Sequence, residues 1–147
     1  MTEPAAGLQL VGIRGWLIVP AIGVGLGPIV LGALFLVGLS MYSQVAAAGY
    51  GRSYAFLLLV DLGILILGAY TATRFFGKKR NAPFMVIELL SAYILAASLR
   101  LVVTLGAGNP DGVAIECVRD LVRSVIGAAI LVPYFRVSKR VKATFVR

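Results

Sequence analysis

The sequence predicts an all-α fold: a four-helix transmembrane bundle with a kinked first helix and a basic amphipathic C-terminal extension. Three observations carry this. Apolar residues make up 60% of the chain and charged residues 14%, against roughly 25% charged in ordinary soluble domains, so lipid is the expected solvent for most of the surface. Four apolar runs recur, at about residues 17–42, 54–76, 84–105 and 113–135, each long enough to cross about 30 Å of hydrocarbon at about 1.5 Å per residue. The separators SQVAAAGYGRS, GKKRNAP and GAGNPDG are small, basic or rich in turn formers, as short connections between antiparallel helices require. The 147 residues form a single membrane domain, residues 1–147, with no internal repeat.

The first run carries glycines at 12, 15, 23, 25 and 27 and prolines at 20 and 28. Proline removes a backbone donor and glycine adds conformational freedom, so this helix is expected to be kinked or entered through an interfacial turn. Trp16 beside Arg14 has the character of an interfacial anchor. Gly23 and Gly27 form a GxxxG pair, which permits close helix approach within the chain or between copies. The N-terminal stretch lacks a basic start and leads into a run too long for a cleavable signal core, so the first run is expected to be retained. The charged residues of the second and third runs are Asp61, Arg74, Glu88 and Arg100. Glu88 sits near the start of its helix, where it could meet Arg14, Arg74 or the KKR cluster, or simply favour the helix dipole.

Charge then orients the bundle. Ten of the fourteen Lys and Arg residues are Arg14, Arg74, Lys78, Lys79, Arg80, Arg136, Lys139, Arg140, Lys142 and Arg147, all on one side of the alternating spans. Arg52 alone lies in a connection on the other side. Basic residues near short loops stay in the cytoplasm, so both termini and the GKKR connection are expected inside. The net charge of +8 is accordingly a topology signal and an attraction to anionic headgroups. Nucleic acid is not an expected partner, because the basic residues are dispersed and lack interleaved stacking aromatics.

The fourth run opens on ECVRDLVR, which places Glu116, Arg119, Asp120 and Arg123 at i, i+3, i+4 and i+7, on one face of a helix. Asp61 and Arg100 fall at a similar depth. The expectation is that the charged face of the fourth helix looks into the bundle and pairs with Asp61 and Arg100, since charge at the bilayer centre costs roughly 2.5–3.5 kcal/mol per residue. Such a cluster is either a network that fixes helix rotation or the wall of a hydrated pocket open on one side. Beyond it, the stretch YFRVSKRVKATFVR, which runs into the cytoplasmic tail 136–147, sets Tyr134, Val137, Val141 and Phe145 at near-helical spacing with Arg136, Lys139, Arg140 and Lys142 interleaved. That pattern suits a helix lying against anionic lipid or a partner's acidic surface; a tail that only enforces topology is the alternative.

Enzymatic chemistry finds little purchase. The chain has no histidine, the usual general base and commonest metal ligand. Cys117 is the one cysteine, without an activating base, and reads as a packing residue. Carboxylates beside arginines are stabilised in their charged form, the opposite of a proton donor. No catalytic, cofactor or metal site is expected.

The stretch RSVIGAAILVPYFRVSKRVKATFV, residues 123–146, together with GIRGWLIVPAIGVGLGPI near the start, resembles the bacterial membrane family called domain of unknown function 2569. The resemblance covers the first run, the last run and the tail, with Leu131 standing where that family often has tryptophan. It implies a small four-helix inner-membrane protein and brings no catalytic residues with it. The expected function is therefore an accessory, assembly or interaction protein, with membrane lipids and a membrane-protein partner or second copy as its contacts. The alternative is a transporter or channel component that uses the charged cluster.

Overall fold

A computed structural model describes residues 17–108, 111–138, 141, 144 and 145. Four helices follow one another, α1 (Ile18–Ala47), α2 (Gly51–Phe76), α3 (Ala82–Gly106) and α4 (Asp111–Val137), and the described residues contain no strand. Each packs on the next in chain order, α1 on α2, α2 on α3 and α3 on α4. The short connections make neighbours antiparallel: Phe76 lies beside Gly25 and Leu58 beside Gly38.

The helices overrun the apolar runs that announced them. α1 continues to Ala47, five residues past its expected end, and α2 begins at Gly51, three residues early. Hydropathy marks an apolar slab, whereas a helix ends where the backbone is forced to turn. Here the turn is made by Gly49 at φ 90°, a conformation open to glycine. The α3–α4 connection turns similarly at Gly108, φ 64°, and the α2–α3 connection at Lys78, φ 52°. α1 runs unbroken through Pro28, whose ring packs toward Gly68 of α2.

α1, α2 and α3 are long and apolar enough to cross a membrane. α4 has the length, 27 residues or about 40 Å at 1.5 Å per residue. Its charged first half keeps it out of that apolar set. The expected fourth span, 113–135, is thus a helix of spanning length with an apolar second half.

The core is concentrated at the end that carries the basic connection. Leu17, Ala21 and Val24 at the start of α1, Phe75 at the end of α2, Ala82 and Val86 of α3 and Phe135 of α4 form one cluster. Phe75 is fully buried, with the rings of Phe76, Phe135 and Phe145 at 5.6, 6.5 and 5.1 Å. Val141 and Phe145 of the tail join this cluster, while Val137 remains exposed. The expected lipid-facing stripe of the tail is therefore divided, its last two apolar members plugging the bundle. Arg136 is exposed on the last turn of α4. The expected contacts Lys139, Arg140 and Lys142, like Arg14 and Trp16, lie outside the described residues. A smaller cluster, Ile64, Leu89 and Ala96 with Leu31 and Tyr93, joins α1, α2 and α3 at mid-height.

The GxxxG expectation is not met inside the chain. A Cβ built on Gly23 or Gly27 would meet nothing within 4 Å, whereas one on Gly25 would lie 3.1 Å from Phe76 and one on Gly38 3.0 Å from Leu58. Two residues of offset rotate a helical position by about 200°, so Gly23 and Gly27 are carried off the α1–α2 seam that Gly25 occupies.

Candidate functional site

The six charges expected to form one inward network divide into three pairs. Asp61 of α2 and Arg100 of α3 make an inter-helix ion pair, with side chains 25% and 38% exposed. The two pair with each other, where the expectation had both turned to the charged face of α4. The other four charges do not turn inward: Glu116, Arg119, Asp120 and Arg123 are all exposed on α4 and, among the described residues, form ion pairs only with each other. Arg119 Nη1 donates to Glu116 Oε1 at 2.6 Å, and Arg123 Nη1 lies 3.7 Å from Asp120 Oδ1. Both are i,i+3 pairs along one helix face.

The cause is the rotation of α4. Ala114, Cys117, Leu121, Ser124, Ala128, Leu131 and Phe135 are buried or half-buried and recur at three- and four-residue steps, with half-buried Gly127, Val132 and Tyr134 flanking them. This seam of mostly small side chains lets α4 approach α3 closely, and Cys117 Sγ comes within 3.5 Å of Thr104 Oγ1 across it. At 100° per residue the charged face is centred roughly 120° away from the seam. Small-residue packing therefore sets the rotation, and the charges follow it outward. Cys117 serves as a packing residue, as expected.

Glu88 also departs from expectation. It is exposed, forms no ion pair among the described residues, and lies in the second turn of α3 with no acid in the first. The dipole effect is confined to the first turn.

A feature the charge pattern did not announce lies at the end opposite the basic connection. Gln44, Val45 and Ala48 of α1, Tyr50, Ser53, Tyr54 and Leu57 at the start of α2, and Val103, Thr104 and Ala107 of α3 line an open cavity of about 320 Å³. Tyr54 stacks on Tyr42 at 6.5 Å and donates from its hydroxyl to the Gly38 carbonyl at 3.0 Å. Asp61 lies four residues past Leu57, and Arg100 four residues before Thr104. The ion pair consequently falls one turn deeper than the cavity wall, on the same faces of α2 and α3. The tyrosines 42, 50 and 54 around a short connection were the available sequence signal for this site.

Chemically, the arrangement offers ion pairing and hydrogen bonding at two places, the stripe on α4 and the cavity with the bridge beneath it. Among the described residues, no three His, Cys, Asp or Glu side chains gather where a metal ion would sit.

Comparison with known proteins adds the family. No curated protein and no solved structure matches the chain. Residues 10–146 match the family described as "Protein of unknown function (DUF2569)", so the match takes in all four helices and nearly all of the tail. The fold and the pairing of its charges thus describe one member of that family, for the chain belongs to DUF2569.

Proposed function

We propose that this protein is a non-enzymatic interaction subunit of a cytoplasmic membrane, and that α4 is the helix through which it docks. In this reading α4 spans the bilayer with the other three helices, the termini and the GKKR connection lie inside, and the basic tail residues Arg136, Lys139, Arg140 and Lys142 meet anionic headgroups. The ten-to-one division of loop-associated basic residues supports the orientation.

The observation that carries the proposal is the exposed stripe Glu116, Arg119, Asp120 and Arg123 on a helix whose other side is packed into the bundle. Bare in lipid, four charges would cost on the order of 10 kcal/mol. Their two local pairs offset part of this, yet side chains more than half exposed still face the surroundings with unsatisfied donors and acceptors. A neighbouring protein helix removes that cost, and the stripe then fixes its depth and rotation.

The test replaces all four residues with leucine and follows the full-length chain, extracted in mild detergent, by native electrophoresis. The wild type is expected to migrate in an assembly larger than its 15.5 kDa, and the leucine variant, with helicity retained, as a single chain. Equal migration of the two would overturn the reading.

The cavity favours a second reading, in which the protein belongs to a transport system and the Asp61–Arg100 bridge lies beneath an entry vestibule. Asp61→Asn with Arg100→Gln separates the two: loss of a solute- or ion-dependent phenotype with unchanged native migration would favour transport.

A further inference from the structure

The turn between α2 and α3 carries three cations in succession. Lys78, Lys79 and Arg80 are all exposed, none makes an ion pair with a described residue, and the next acid along the chain is Glu88. Arg74, one turn earlier, is engaged elsewhere: it donates to the Tyr70 hydroxyl at 2.6 Å, with its guanidinium carbon 4.9 Å from the centre of that ring. The backbone beneath the three cations is pinned. The amides of Lys78 and Lys79 donate to the carbonyls of Phe75 and Arg74 at 3.1 Å each, closing α2, and the Lys79 carbonyl accepts from Ala82 at 2.9 Å, opening α3. Phe75 and Ala82 are themselves fully buried. Lys78 holds the left-handed position, φ 52°, that glycine most often fills at a helix end, so a cationic side chain stands where the backbone favours none. On either side of the turn a large ring is uncovered: Phe76 at the end of α2 is 50% exposed and Phe84 in the first turn of α3 is 62% exposed.

We propose that this turn is a binding site for one anionic phospholipid, with Lys78, Lys79 and Arg80 on its phosphate and Phe76 and Phe84 against the adjoining acyl chains. The inference is independent of what docks on α4 and adds a preformed lipid contact to the one drawn for the tail. It requires only that α2 and α3 cross the membrane, for which both are long and apolar enough.

One occupant has to satisfy two chemistries at once. Ammonium and guanidinium groups make charge-assisted hydrogen bonds to phosphate oxygens, and cations at a membrane surface attract anionic headgroups. An acidic protein or a soluble anion would match the cations and leave both rings uncovered, whereas a phospholipid brings phosphate and hydrocarbon in a single molecule. The depth is right for it. Helices that cross an apolar slab of about 30 Å end in the headgroup layer, and here α2 ends at Phe76 while α3 begins at Ala82. The pinned turn favours binding as well, because a loop already fixed at both ends does not have to be ordered by its ligand. A lipid of net negative charge is selected over a zwitterionic one, whose own cation would face the lysines.

The test measures lipid affinity of the full chain, purified in a neutral mild detergent, by titration followed with native mass spectrometry. Phosphatidylglycerol is expected to bind roughly tenfold more tightly than phosphatidylcholine or better. Each cation near such a headgroup is worth roughly fivefold, so Lys78→Gln, Lys79→Gln and Arg80→Gln together should weaken phosphatidylglycerol by about 100-fold. Arg136→Gln, Lys139→Gln, Arg140→Gln and Lys142→Gln together remove one charge more, yet should weaken it by less than about tenfold, since the tail is not the site. Phe84→Ala removes an exposed ring outside the core and should weaken it by about tenfold. Equal losses in the turn and tail variants would overturn the site, because total charge alone would then set binding. Equal affinity for the two lipids would overturn it as well. Displacement of the lipid by glycerol 3-phosphate at comparable concentration would make a soluble phosphate the occupant and overturn the lipid assignment. Should the turn variant fail to fold, Phe84→Ala decides alone, an unchanged affinity overturning the proposal and the expected loss supporting it.

Discussion

Removing one member of the Asp61–Arg100 pair should be worse than removing both. Asp61→Leu leaves Arg100 as a half-buried cation between α2 and α3 without a carboxylate, and Arg100→Leu does the reverse. Breaking a fully buried pair costs about 3–5 kcal/mol. These side chains are 25% and 38% exposed, so part of the loss is recovered by local water or headgroups, leaving about 2 kcal/mol for each single variant. At roughly 2–4 °C per kcal/mol for a chain of this size, the melting temperature in detergent should fall by about 4–8 °C. The double leucine variant should regain at least half of that, since two apolar side chains of similar volume then pack where an ion pair stood. Thermal unfolding of the three variants and the wild type, followed by fluorescence of a thiol-reactive dye at half-buried Cys117, completes the cycle. Strictly additive losses would refute the reasoning, because independent residues share no coupling energy.

The remaining predictions concern packing and orientation. Gly38→Ala should destabilise by about 1–3 kcal/mol, because its Cβ would come within 3.0 Å of Leu58 and 3.3 Å of the Tyr54 hydroxyl. Gly27→Ala, with open space around it, should be neutral or stabilising by up to about 1 kcal/mol, and the same melting assay reads both. Phe75→Ala should cost about 3–5 kcal/mol as the loss of a fully buried ring at the junction of α1, α2, α3 and the tail. Truncation after Ser138 should also destabilise that end, since Val141 and Phe145 leave the same cluster; limited proteolysis near Phe75 would report the opening. A reporter fused at Lys79 should read as cytoplasmic, and a reading on the far side would overturn the orientation.

The number and order of the helices were legible because lipid imposes a composition on whole segments, independent of which face packs where. Rotation was not legible from the charges. The ECVRDLVR face invited an inward placement on energetic grounds, yet the same helix carries Ala114, Cys117, Ser124 and Ala128 at equivalent periodicity, and these pack on α3. In a membrane helix, small residues decide the packed side because close backbone approach supplies the attraction. Gly23 and Gly27 mislead for the related reason that a motif gives spacing but no phase: Gly25 and Gly38 make the close approaches instead. That Asp61 and Arg100 pair with each other and not with α4 was hidden, because it depends on the rotation of α4, but their shared depth on adjacent antiparallel helices was readable. The cavity was not, since its lining comes from the ends of three helices whose convergence no single segment reveals.

The claim on which most rests is that the charged stripe of α4 is turned from its own bundle and covered by protein. The most direct measurement is a nitroxide scan along residues 113–132 of the full chain in its native membrane, reading collision with oxygen, which concentrates in lipid, and with a water-soluble nickel chelate. Both accessibilities are expected to be low at 116, 120, 123, 127 and 130 and again at 117, 121, 124 and 128, with oxygen accessibility high at 118, 122, 125 and 129. Oxygen accessibility at 120, 123 and 127 equal to that at 125 would place the stripe in lipid and contradict the account; high nickel accessibility there would place it in water and contradict it equally.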